Sequence, residues 1–187
     1  MSEKVCPYWV GYFLISPLRR FIQNPDKILG PHVKSGMTAL DIGCGMGFFT
    51  LPLARMVGPN GRVVCVDIQE KMLRTLHRRA SKAGVADRII ARLGNPNSLN
   101  LNEFDHQFDF GLAFAVVHEV PEVPLFFAEV SKAMKSGARC LLAEPTGRVS
   151  LEKFEATLSA AGEKGFMVVA TPKIVRCHAA VLSKTST

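Results

Sequence analysis

The stretch ALDIGCGMGF, residues 39–48, decides how this chain is read. An apolar run ends in Asp41, and Gly43, Gly45 and Gly47 follow at alternate positions. Each glycine adds backbone entropy that folding must remove, so three of them in one turn imply that the missing side chains matter. Either something approaches that backbone closely, or the turn is architectural and admits nothing larger.

Two phosphate cradles fit the spacing poorly. With Gly43 and Gly45 as the first two glycines of a GxGxxG dinucleotide fingerprint, the third would fall at residue 48, which is phenylalanine. A Walker-type loop needs GK[ST], which is absent from the stretch. Asp67 ends the next apolar run, RVVCVDI, 20 residues beyond Gly47. A carboxylate at that place accepts both hydroxyls of a ribose and repels a 2′-phosphate. The expected ligand therefore has a free ribose and no pyrophosphate over the turn.

The same alternation continues along the chain. TALDIG (38–43), RVVCVDI (62–68), RIIARLG (88–94), FDFGLAFAV (108–116) and ARCLLAEP (138–145) are nearly continuous in apolar residues, as strands buried on both faces are. Helical patterns separate them at 48–57, 69–83 and 121–135, with Gly58-Pro59, Gly84 and Ser136-Gly137 as stop signals. Ser150 is placed to N-cap a further helix reaching about residue 161. GFMVVATPKI and RCHAAVLSK close the chain with no helical pattern between them, so one must run antiparallel to the other. Strand–helix alternation with short connections predicts an α/β fold, a doubly wound, mostly parallel sheet. Ligands of such sheets sit at the carboxyl ends of the strands, where DIGCGMG lies.

On these residues the chain resembles the class I S-adenosylmethionine-dependent methyltransferases. ALDIGCGMGFFTLPLA followed by GRVVCVDI looks like the family's VLDxGCGxG strand and turn with an acid ending the second strand, and the likeness runs over roughly 31–183. The resemblance implies a Rossmann-like, seven-stranded sheet whose last strand is antiparallel, with S-adenosylmethionine as cofactor. It implies that Gly43, Gly45 and Gly47 give clearance to the methionine end, and that Asp41 positions the turn or reaches the amino group. Asp67 would take the ribose and Ile68 the adenine face. Where the family has GDA after the third strand, this chain has GNP: Asn95 can still accept through its amide oxygen, but Pro96 has no N–H to give the adenine ring. A plain turn role for Asn95, with no ligand contact, stays open.

Bulk properties narrow the acceptor little. The 187 residues suit one domain, 48% hydrophobic, with a formal net charge of +7. That charge would suit nucleic acid or an anionic surface, yet the basic residues are scattered, and the densest group, LRTLHRRASK, looks like the solvated face of a helix. The five cysteines form no CxxC pair and are expected to be reduced thiols of a cytoplasmic protein, with no metal site. VCPYWVGYFLISPL (5–18) is shorter than the ~20 residues that span a bilayer. It is expected to belong to an N-terminal cap segment, 1–30, over a methyltransferase domain, 31–187. Weak contact with a membrane surface is the competing reading.

Methyl transfer from a sulfonium needs alignment above all, and a base only when the acceptor must lose a proton. His118, after the fourth strand, and Glu144, ending the fifth, are the acid/base candidates, each against a bland alternative as loop histidine or loop-bonding carboxylate. Tyr8, Trp9 and Tyr12 would wall the substrate site if the cap folds over it. FAVVHEV stands where adenine-N6 and cytosine-N4 methyltransferases carry D/N-P-P-Y/F, which weighs against nucleic acid. The expectation is in-line methyl transfer to a small-molecule acceptor. The alternatives are a nucleic-acid methyltransferase and a non-catalytic cofactor-binding subunit. With almost no insertion beyond the core, a second copy in a homo-oligomer is the other way to complete the site.

Overall fold

The structure is a computed structural model that describes residue 15 and residues 17–185. Tyr8, Trp9, Tyr12 and most of the apolar N-terminal stretch lie outside the described residues. Two short helices come first, α1 (Pro17–Ile22) and α2 (Pro25–Leu29), the latter N-capped by Asn24. Then β1 (Thr38–Ile42), α3 (Thr50–Met56), β2 (Arg62–Asp67), α4 (Glu70–Lys82) and β3 (Ile89–Leu93) alternate. The second half adds β4 (Phe108–Phe114), α5 (Val123–Ala133), β5 (Met134–Pro145), α6 (Leu151–Glu163), β6 (Phe166–Ala170) and β7 (Cys177–Lys184).

The strands form one seven-stranded sheet in the order β3-β2-β1-β4-β5-β7-β6. β1 pairs in parallel with β2 and β4, and β7 runs antiparallel to both β5 and β6. The expected architecture therefore holds, including the reversed last strand. Alternate residues of the strands feed two cores, except across the irregularity in β4 between Phe108 and Phe110, which sends those two to opposite faces. Leu40, Ile42, Val64, Val66 and Phe108 pack with Phe126, Phe127 and Val130 of α5 and Phe154 of α6. Ala39, Val63, Phe110 and Leu112 pack on the other side with Leu29 of α2 and Leu51, Leu53 and Ala54 of α3. Helices thus cover both faces, as a parallel sheet requires.

Differences from the expected elements have local causes. β3, expected to be buried on both faces, is half exposed because it forms one edge of the sheet. The helix expected to reach residue 135 ends at Ala133, and Met134 is already strand, pairing with Phe108. Ser150 caps α6 through a bond from the Lys153 N–H to its Oγ. Cys44, Cys65, Cys140 and Cys177 are free thiols, the first three buried. No helix among the described residues is long and apolar enough to cross a membrane.

The strand order reverses between β1 and β4, because the chain runs outward from β1 to β3 and then returns to β4. The crevice at that reversal, beyond the carboxyl ends of β1, β2 and β4, is where an open α/β sheet binds its ligand.

Candidate functional site

A cavity of about 870 Å³ fills this crevice. That lies within the ~300–1,000 Å³ of small-molecule sites. Its floor is the turn after β1, and Asp41, Gly43, Gly45, Asp67, Ile68 and Asn95 all line it. The structure thus brings six of the seven expected cofactor residues together. Gly47 lies outside the lining.

The three glycines divide the work between them. Each has a positive φ: +70° at Gly43, +53° at Gly45 and +83° at Gly47. A Cβ on Gly43 would stand 2.5 Å from Val116 Cγ2, and one on Gly47 would stand 2.7 Å from Leu51 Cδ1. Those two glycines let the turn pack against its own neighbours. A Cβ on Gly45 would meet nothing within 4 Å, because it would project into open space. Gly45 is the one whose missing side chain leaves room.

Two acids hold the turn. Asp67 Oδ2 accepts the Gly45 N–H at 2.8 Å and its Oδ1 accepts the Gln69 N–H at 2.8 Å, which ties the turn to the start of α4. Burial pushes this carboxyl above the usual carboxylate range, against the pull of those backbone donors. Asp41 is 3% exposed and accepts the Thr50 hydroxyl at 2.5 Å. Burial drives it up to about 7, with the Thr50 bond opposing and nearby Asp67 adding to the rise. Arg79, expected on the solvated face of α4, is half-buried and donates to the Met46 carbonyl of the turn. Arg74 and Arg78 are exposed as expected.

Asn95 Oδ1 accepts the Asn97 N–H at 2.9 Å, and Asn95 and Ser98 exchange backbone bonds. It is a turn residue that also lines the cavity, so both readings of it have a basis in the geometry.

The upper wall is apolar and aromatic. Phe48 and Phe49 meet edge to face with centroids 5.0 Å apart, and Phe49 tilts onto Phe114 at 4.6 Å. Arg19 of α1 places its guanidinium 4.2 Å from the Phe48 ring centroid, and it and Ile15 line the cavity. Desolvation in this position lowers Arg19 to about 10. The described part of the N-terminal segment therefore closes one side of the site. Neither Arg19 nor Thr50 carries a sequence signal of its role, since each acts through a contact made only in the fold.

His118 and Glu144 are brought together, but beside the large cavity rather than in it. Glu144 is 1% exposed; its Oε1 accepts the N–H groups of Val116 at 3.2 Å and Val117 at 2.7 Å. Its Oε2 lies 2.5 Å from His118 Nδ1. That bond lifts His118 above its usual value despite its partial burial. Both line a second cavity of about 390 Å³ on the far side of the 3-10 turn Val117–Glu119. Glu119 and Val120 line both cavities. Ala115, which opens the segment, is held at φ +56° by a 2.7 Å bond from its N–H to the Ala143 carbonyl.

Known proteins resemble this chain. A family model described as a methyltransferase domain matches residues 33–178. A demethylmenaquinone methyltransferase of Symbiobacterium thermophilum is 34% identical over 113 residues, 60% of this chain and 44% of that one. A 2-phytyl-1,4-naphtoquinone methyltransferase of Nostoc punctiforme is 36% identical over 109 residues, 58% and 46% of the two chains. The chain spans about half the length of these curated relatives. The crystal structure of a SAM dependent methyltransferase from Aquifex aeolicus superposes with a TM-score of 0.86 at 25% identity, covering 97% of this chain and 100% of that one.

Proposed function

The chain belongs to the methyltransferase-domain family of class I S-adenosylmethionine-dependent methyltransferases, and on that premise we propose that it methylates a small, uncharged, largely apolar ring acceptor of the quinol class. The observation that carries this reading is the lining of the larger cavity. Asp41 and Asp67 line it beside the glycine turn, and Phe48, Phe49, Phe114, Val120 and Phe126 add an apolar wall.

The residues present fit the cofactor. Gly45 leaves open space where any other side chain would stand, and Asp67 keeps lone pairs beyond those used by Gly45 and Gln69. Asp67 would hold the ribose hydroxyls, Ile68 would pack on the adenine and Asn95 would face its edge. Asp41 would meet the ammonium group. When bound, the cofactor supplies a methyl group on a sulfonium already activated for in-line displacement. The protein's part is to align the acceptor and exclude water, which α1, with Arg19 over Phe48, would do as a lid.

Charge selects the acceptor class. The described lining carries five carboxylates, Asp41, Asp67, Glu119, Glu122 and Glu129, against one cation, Arg19. Phosphates would be repelled there, so the +7 net charge does not argue for nucleic acid at this site. A flat, neutral, aromatic acceptor suits the phenylalanine wall, and the relatives named as quinone methyltransferases support that class. The protein would work in the cytoplasm, as monomer or homo-oligomer, taking its acceptor from solution or from a membrane surface.

The test has two stages. Calorimetry should detect S-adenosylmethionine binding by the wild type and a large loss in Asp67→Ala. Incubation with naphthalene-1,4-diol under reducing conditions should then yield a product 14 mass units (about one CH₂) heavier by mass spectrometry. Cofactor binding without transfer to this diol, to other quinols or to phenols would overturn the acceptor class and favour a non-catalytic cofactor-binding subunit.

A further inference from the structure

We propose that Glu119 takes the proton released by the acceptor and hands it to His118, with Glu144 as the fixed carboxylate behind, so that the proton leaves through the second cavity. The inference rests on the reading above, in which the acceptor sits in the larger cavity.

Geometry orders the three groups. Of the three groups, Glu119 is the one that lines both cavities, so it is the one that borders an acceptor in the larger. His118 stands between two carboxylates, with Nδ1 2.5 Å from Glu144 Oε2 and Nε2 3.9 Å from Glu119 Oε1. Nε2 is buried and makes no hydrogen bond among the described residues. A shift of about 1 Å would bring it within bonding reach of Glu119. Glu144 cannot play the first role: it is buried away from the larger cavity and spent on Val116, Val117 and His118. Its bonds to consecutive backbone N–H groups, with Ala115 held at φ +56°, fix the turn that carries Glu119. A non-glycine residue held in that region of φ costs about 1–3 kcal/mol and persists where the surroundings over-determine it.

The transfer balances as follows. The acceptor's electron pair forms the bond to the methyl carbon, the sulfur–methyl bond breaks with its pair on sulfur, and the acceptor's proton goes to the Glu119 carboxylate. Glu119 then protonates His118 Nε2, while Nδ1–H stays bonded to Glu144. The imidazolium then gives up that Nε2 proton to water admitted through the second cavity, which His118 lines, and returns to the neutral ring with Nδ1–H on Glu144. Among the described residues, the charged groups facing His118 are Glu144 from β5, Glu119 from its own turn and Arg148 from the loop after β5, whose guanidinium is 3.9 Å from Glu119. Lys153 of α6 also lines the second cavity. The Glu144 bond raises the pKa of His118, so the rate should climb as pH rises through that titration.

Two measurements on the full chain decide the matter. With naphthalene-1,4-diol as acceptor, Glu119→Gln should lower kcat by about 10²–10⁴-fold with KM little changed, the usual scale for loss of a general base. His118→Gln should flatten the pH–kcat profile. Cofactor binding by calorimetry should be unchanged in both. The second measurement needs no turnover: in NMR of histidine-labelled protein, Glu119→Gln should lower the pKa of His118 by removing a facing charge. An unmoved His118 pKa, or an unchanged kcat in Glu119→Gln, overturns the relay. Failure of the wild type to methylate the diol counts against the acceptor class instead, and the NMR result still decides the Glu119–His118 pairing.

Discussion

The carboxylate of Asp67 accepts the backbone N–H of Gly45 at 2.8 Å, so the acid ending β2 holds the turn that follows β1. One residue thereby ties the turn after β1 to the start of α4 and lines the cavity above it, where we propose that it takes the ribose.

Replacing Asp67 should expose both roles. A hydrogen bond to a charged group contributes about 1.5–3 kcal/mol, so Asp67→Ala should weaken S-adenosylmethionine binding by roughly 10–100-fold or more. Asp67→Asn keeps an acceptor for Gly45 and should lose less. Calorimetric titration of the two variants separates the contributions. Equal affinity in Asp67→Ala and the wild type would remove the ribose role.

The glycines should separate by what each side chain would strike. Gly43→Ala places its Cβ 2.5 Å from Val116 Cγ2 at φ +70°, and should lower the melting temperature strongly. Gly45→Ala meets nothing and should cost only the left-handed backbone penalty of about 1–2 kcal/mol. Its methyl group meets open space and Gly45 lines the larger cavity, so on the proposed reading binding should suffer more than folding. Thermal melts and calorimetry on both variants check the contrast.

Much of this is legible in the sequence because it depends on local chemistry. The apolar runs follow from hydrophobic periodicity and the stop signals from Gly and Pro, and the alternate glycines mark a turn in which missing side chains matter. The acid at the end of β2 can be placed by spacing alone. What cannot be read that way depends on contacts between distant segments. Arg19 meets Phe48 29 positions later, and Arg79 reaches back 33 positions to the Met46 carbonyl. His118 and Glu144 both stand out in the sequence, but their pairing across 26 positions, facing away from the larger cavity, is a property of the sheet register and the turn after β4. Gly47 looks equivalent to Gly45 in the sequence, and only the packing of Leu51 and Leu76 distinguishes them.

Asp41 should make stability and binding depend on pH in opposite senses. Its folded value, about 7, lies above its ordinary 3.8, so the folded state binds the proton more tightly between those limits. Stability of the free protein should therefore be greatest at the acid side of that window and fall as pH rises through it. The upper limit is roughly 4 kcal/mol at 1.36 kcal/mol per unit. The ligand ammonium prefers the ionised carboxylate, so cofactor affinity should rise toward and above pH 7. Asp41→Asn should flatten both profiles, as measured by melts of the free protein and calorimetry across pH 5–9, about two units either side of 7.

Arg19 should report on the lid. Its guanidinium lies 4.2 Å from the Phe48 ring centroid and within 5.7 Å of both Phe49 and Phe114, partly desolvated over an apolar wall. Cation–π contacts of this kind contribute about 0.5–2 kcal/mol, and Arg19 also donates to Gln23 Oε1 at 2.9 Å within the same segment. Arg19→Ala should loosen the segment over the cavity and raise the apparent KM for cofactor and acceptor by about 2–30-fold, the range that energy implies. Arg19→Lys keeps the charge but not the planar face, and should fall between. The contacts described for Arg19 are to Phe48, Phe49, Phe114 and Gln23, so the fold should melt within a few degrees of the wild type. Limited proteolysis should cut the segment faster in Arg19→Ala, and added S-adenosylmethionine should slow that cutting in the wild type. Equal cutting rates in all three samples would mean that the arginine does not hold the segment down.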